Sequence, residues 1–183
     1  MQSRPEDLDD RTLATALSRH WGVAVAALDY RPVGFGSHHW SATDPAGGRW
    51  FVTVDDLDTK RRSAAESRDR AYQRLVRALC TARALRDTGA AFVVAPLPTA
   101  GGAPVIRLTP RYAAALYPHV DGESFDFGLP GPGHAGAVLE MLLALHAAPG
   151  AVRRGGRSGG QVLVHSGMTP QSVRGRVGED GDR

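Results

Sequence analysis

The chain has 183 residues, 42% hydrophobic and 22% charged, enough for one substantial domain with a real core and too few for two. No apolar run approaches the roughly 18 residues that a membrane span needs, and a single cysteine, Cys80, excludes an intrachain disulfide or a cysteine-cluster metal site. The net charge of +3 sits entirely in the last segment, because residues 1–149 hold 16 basic and 16 acidic groups while residues 150–183 hold six arginines against three acids. The bulk of the chain therefore carries no basic excess of the kind that marks a nucleic-acid surface.

The first twelve residues, MQSRPEDLDDRT, are acidic and lack a signal-type apolar core, which predicts a cytoplasmic protein with no membrane and no nucleic acid among its partners. Cys80 is expected to pack in the core. In DDRTLATALSRHWG, Leu13, Leu17 and Trp21 fall at i, i+4 and i+8, an aspartate precedes as a cap and Gly22 can stop the helix.

Three extended runs follow, ALDYRPVGFG, SHHWSATD and RWFVTVDDL, the last two separated by DPAGG, and they predict an antiparallel meander. A period of two puts Trp50, Val52 and Val54 on one face and Phe51, Thr53 and Asp55 on the other. His38 and His39, adjacent in a strand, face opposite sides and cannot share a metal. From about Ser63 to Asp87 the spacing of Tyr72, Leu75, Val76 and Leu79 predicts a long helix, with Gly89 just beyond.

AFVVAPLPT and APVIRL, joined by AGG, read as a further hairpin whose prolines favour edge positions, and RYAAALYPHV reads as one more strand. After the loop DGESFDFGLPGPG comes a helix, AGAVLEMLLALHAA, with Val138, Met141, Leu142 and Leu145 aligned. Residues 150–183 hold nine glycines and one short apolar run, so no element is predicted there and the segment reads as disordered or frame-shifted.

The stretch PVGFGSHHW places two glycines and a serine between apolar runs, the composition of a turn that something approaches closely. A glycine-rich hairpin turn with no ligand is the plain alternative. The order strand, glycine turn, strand, turn, strand, long helix, strand, strand resembles the small lobe of protein-kinase-like enzymes. The wording PVGFGSHHW, RWFVTVDDLD, ALRDTGAAFVVAPLPT and YAAALYPHVDGE resembles the aminoglycoside phosphotransferase family, near its spectinomycin-type members, over roughly residues 10–149.

The resemblance implies an α+β fold: a five-stranded antiparallel sheet with one long helix, an N-terminal helix, and the first helix of an otherwise missing large lobe. Residues 1–120 would form the kinase-like lobe, 121–149 the hinge loop and first large-lobe helix, and 150–183 the tail. It implies an ATP-dependent transfer of the γ-phosphate to a hydroxyl of an antibiotic-like aminocyclitol or aminoglycoside, with ATP and magnesium as cofactors. A non-catalytic nucleotide-binding or regulatory pseudokinase module is the alternative.

On this resemblance Gly34, Phe35, Gly36 and Ser37 would fold over the phosphates, with backbone N–H groups and the Ser37 hydroxyl as donors. The kinase pattern of three glycines has His39 at its last place. Thr53 stands where the third-strand lysine belongs, and the chain's one lysine, Lys60, lies in TKRRS, which reads as a solvated run ahead of the helix or as a surrogate for that lysine. Glu66 would be the helix glutamate that pairs with such a lysine, or an acid complementing the helix dipole. Pro118, His119 and Val120 would offer backbone groups to adenine, or form an ordinary linker.

The triplet Asp126 to Gly128 spells DFG but falls between hinge and helix, where it reads as a loop and not as the magnesium-binding motif. The catalytic H-x-D-x-x-x-x-N phrase and a later metal-binding aspartate do not occur after residue 120. The expectation is a chain truncated or frame-shifted near Pro149 and inactive alone, with its last helix presenting an apolar stripe that drives self-association.

Overall fold

The computed structural model describes residues 3–122 and 133–148. The Asp126 to Gly128 triplet and residues 150–183 lie outside the described residues. In chain order the elements are α1 (Asp10–Trp21), β1 (Ala27–Arg31), β2 (His38–Thr43), β3 (Arg49–Asp56), α2 (Arg68–Asp87), β4 (Ile106–Arg107), β5 (Tyr112–Pro118) and α3 (Ala135–Ala147). The five strands form one antiparallel sheet in the order β1-β2-β3-β5-β4, the α+β architecture expected of a kinase-like small lobe.

Local chemistry sets the element ends. The Asp9 carboxylate accepts from the Thr12 amide at 2.6 Å and starts α1, and Gly22 stops it at φ 72, a conformation glycine adopts without cost. Asp44 Oδ1 accepts from the amides of Ala46 at 2.9 Å and Gly48 at 2.7 Å, and with the backbone turn bond from the Gly47 amide to the Asp44 carbonyl at 3.1 Å it closes the β2–β3 hairpin.

The strand alternation splits the core as its period requires. Trp40, Ala42, Val52, Val54, Ala114 and Leu116 join Leu13 and Leu17 of α1 in one cluster. Ala113, Ala115 and Tyr117 join Ala71 and Leu79 of α2 in a second, with Phe51 packed against it. The sheet thus carries α1 on one face and α2 on the other, and Trp40, fully buried, also donates its indole N–H to Asp10 at 3.1 Å.

Three expectations are corrected. The long helix begins at Arg68, not near Ser63, because Glu66 folds back to accept from the Arg62 amide at 2.6 Å and Ser67 takes the cap by accepting from the Arg70 amide. AFVVAPLPT is not a strand of the sheet: Pro96 and Pro98 have no N–H to donate, and the segment contributes only an isolated bridge residue, Val93, and the Leu97 amide, which donates to the Leu116 carbonyl at 2.7 Å. Cys80 is exposed, since the buried positions of α2 are Ala71, Ala78, Leu79, Thr81, Ala82 and Leu85, which turns position 80 outward.

On α3 the apolar stripe is also redistributed. Met141 is buried and Leu145 packs near Ala82, Leu85 and Val93, whereas Leu139, Leu142 and Leu143 are exposed. Among the described residues no helix is long and apolar enough to cross a membrane.

Candidate functional site

The turn between β1 and β2 folds as a glycine turn in the literal sense. Gly34 and Gly36 sit at φ 72 and φ 82, backbone conformations that a side chain makes costly. At Gly34 the space is tight as well, since a Cβ there would stand 3.3 Å from His39 Nε2, while one on Gly36 would make ordinary contact with Lys60 Nζ at 3.5 Å. Phe35 projects from the tip, 74% exposed.

Beneath the turn, between the sheet and α2, lies a cavity of about 370 Å³ whose lining includes Gly34, Ser37, His39, Thr53, Asp55 and Lys60. Strand pairing brings these groups together: His39 of β2 stands opposite Thr53 of β3, and Asp55 follows two residues on, on the same face. α2 supplies Arg74, Leu75 and Ala78 to the far wall, and β5 supplies Tyr117.

The polar heart of the cavity is Asp55. It is 5% exposed, accepts from the Ser37 hydroxyl at 2.6 Å, and faces the Lys60 ammonium at 2.9 Å. Lys60 also donates to Ser37 Oγ at 3.3 Å, so turn, strand and following loop share one three-membered network.

His39 adds a second polar feature. It is buried, stacks on Phe51 with ring centroids 5.0 Å apart, and leaves Nδ1 with no hydrogen-bond partner. Burial pushes its pKa down to about 4, so the ring is neutral near pH 7. His38 faces the opposite side of the sheet, against Tyr30, Trp40 and Tyr112, as the strand period requires. Burial first, with the Asp55 charge adding to it, raises the pKa of Tyr117.

Of the residues singled out from the sequence, Gly34, Phe35 and Ser37 line this cavity and Gly36 adjoins it through Lys60. Thr53 is there too, 4% exposed and unable to supply positive charge. Glu66 stands outside α2, pairs with Arg74 and accepts from the Arg62 amide, so it meets no strand cation. Arg74 in turn donates to the Lys60 carbonyl, which makes Glu66 and Arg74 a clamp on the loop that carries the lysine.

Pro118 and Val120 line a separate cavity of about 270 Å³, with Val93 and Pro96, and His119 Nδ1 lies 3.5 Å from Asp121. The reading of TKRRS as a solvated run fails at Lys60, whose side chain is 29% exposed and folds under the glycine turn. The sequence signal for that was slight: an Asp-Asp pair at the strand end, where Asp56 accepts from the Thr59 amide at 3.1 Å and the Lys60 amide at 3.2 Å and reverses the chain.

No protein-family model matches this sequence, and neither does any curated protein. Solved structures do match in fold. Spectinomycin phosphotransferase in complex with ADP and spectinomycin superposes with a TM-score of 0.59 at 15% identity, over 81% of this chain and 41% of its own. Its AMP-bound complex gives 0.52 at 12% identity, over 79% of this chain and 40% of its own. The macrolide 2'-phosphotransferase from Brachybacterium faecium, as apoenzyme, gives 0.50 at 20% identity, over 83% of this chain and 48% of its own. The chain thus has the small-lobe fold of kinase-like phosphotransferases and spans less than half the length of these proteins.

Proposed function

We propose that the cleft under the Gly34–Ser37 turn binds ATP, as the nucleotide half of a phosphotransferase that moves the γ-phosphate to a hydroxyl of an antibiotic-like aminocyclitol or aminoglycoside. The single observation that carries this reading is a cavity lined by the positive-φ Gly34, Ser37 and the Lys60 cation, with the positive-φ Gly36 adjoining it. Phosphate oxygens need close-set N–H donors and positive charge, and a side chain at either glycine would block the approach.

The residues fit such a group. At the turn the space is one that only a bare glycine backbone leaves, since a Cβ on Gly34 would stand 3.3 Å from His39 Nε2 in the cavity wall. Gly34, Phe35, Gly36 and Ser37 would hold the phosphates; Pro118 and Val120, whose backbone the resemblance offers with that of His119 to the adenine edge, line a separate cavity. Magnesium finds no comparable set of donors, because no group of three or more His, Cys, Asp or Glu side chains stands together among the described residues. ATP supplies the phosphoryl group; this chain's own part is to bind and orient it.

A second reading, a non-catalytic nucleotide-binding or regulatory module, is favoured by Thr53 at the strand-lysine position. Self-association through the exposed Leu139, Leu142 and Leu143 belongs to either reading, and sedimentation velocity across protein concentrations tests it.

Calorimetric titration with ATP, combined with a radiolabelled phosphate-transfer assay on spectinomycin and kanamycin, decides between them. Binding with transfer supports the enzyme, and binding without transfer supports the module. Absence of both overturns the nucleotide reading.

A further inference from the structure

We propose that Lys60 is the phosphate-contacting cation of this cleft, in place of a lysine on β3; the inference rests on the nucleotide reading above. Thr53, at the strand position facing the cavity, has only a hydroxyl, and Lys60 is the one lysine in the chain. Its ammonium nevertheless reaches the same space from the loop beyond β3, 3.3 Å from Ser37 Oγ. The 3.5 Å from Nζ to a Cβ built on Gly36 puts the charge directly against the glycine turn.

The position is built and held. The Lys60 amide donates to the Asp56 carbonyl at 3.2 Å, and the Lys60 carbonyl accepts from Arg74. Arg74 and Glu66 are 11% and 14% exposed, and their mutual pair fixes the guanidinium that grips the loop. A lysine serving only solubility has no need of such a mount, and a solvated one does not spend its charge in a cavity wall.

Asp55 sets the terms on which Lys60 meets an anion. An ammonium has three donors, of which Asp55 and Ser37 take two, leaving one for a phosphate oxygen. The carboxylate also cancels most of the lysine charge seen by an incoming polyanion. Lys60 therefore contributes through a directed, charge-assisted hydrogen bond, and removal of the Asp55 charge strengthens its pull.

The test is calorimetric titration of the full chain with ATP and, separately, with adenosine, which has the base but no phosphate. Lys60→Met is expected to weaken ATP binding by about tenfold or more and to leave adenosine binding unchanged. Lys60→Arg should retain most of the ATP affinity, and Asp55→Asn should raise it. Lys60→Gln, which preserves a donor toward Asp55, serves if the methionine variant fails to fold. ATP affinity in a folded Lys60→Met or Lys60→Gln variant within about twofold of the parent overturns the inference. Equal loss of ATP and adenosine binding overturns it too, since that marks a scaffold role. If the parent chain binds neither compound, the nucleotide reading itself has failed.

Discussion

The Ser37 hydroxyl donates to Asp55 Oδ1 at 2.6 Å, so a charge-assisted hydrogen bond ties the glycine turn to β3 across 18 residues of sequence. Such a bond contributes about 1.5–3 kcal/mol. Ser37→Ala should release the turn without unfolding the domain. Hydrogen exchange at residues 33–37 is expected to rise by about tenfold or more, while the thermal melt moves by only a few degrees. Unchanged exchange there would show the turn to be held by something else.

The two glycines should respond differently from ordinary surface positions. Gly34→Ala and Gly36→Ala each force an alanine into positive φ, at a cost of roughly 1–2 kcal/mol, and Gly34→Ala also brings a methyl to 3.3 Å from His39 Nε2. Urea denaturation should therefore rank Gly34→Ala below Gly36→Ala, with both below the parent. Alanine at exposed Gly133 or Gly136, where a Cβ meets nothing within 4 Å, gives the reference.

His39 makes stability depend on pH. Its folded-state pKa is near 4, against 6.5 for an unperturbed imidazole, so between those values the unfolded chain binds a proton that the folded one does not. Stability from this source is complete above pH 6.5 and is lost as pH falls toward 4, by roughly 3 kcal/mol. His38, whose pKa is also lowered by burial, acts in the same direction. Melting temperatures from pH 7.5 to 4.5 should fall for the parent and fall less steeply for His39→Gln.

Trp40 is the largest fully buried side chain and ties β2 to α1 through Asp10. Trp40→Ala should cost about 3–5 kcal/mol, enough to unfold a marginal domain. Trp40→Phe keeps most of the volume and loses the indole donor, and should cost clearly less. Chemical denaturation of both variants checks the order.

What could be read from the residues alone was whatever local chemistry decides. The Asp9 cap, the Asp44 turn and the two-residue alternation around Val52 announced α1 and the meander, and Gly34 to Ser37 announced a close approach. Lys60 was hidden because its place depends on a chain reversal at Asp56 and on the Glu66–Arg74 clamp, contacts with no period to reveal them.

AFVVAPLPT misled for the opposite reason: Phe92, Val93 and Val94 favour a strand, but Pro96 and Pro98 leave too few donors to join the sheet. On α3 the spacing identified a helix, while the face it buries depends on packing near α2, so Met141 is buried and Leu139 is exposed. The resemblance pointed to the fold, and the charge arrangement inside the cavity became visible only in the structure.

The most direct test of the proposed nucleotide site is a 1H–15N correlation spectrum of the labelled chain during titration with ATP. The account predicts saturable shifts concentrated at Gly34, Gly36, Ser37, Thr53 and Lys60, with adenosine leaving the glycine-turn amides largely unmoved. ATP-induced shifts scattered over the surface, or none at the turn, would contradict it.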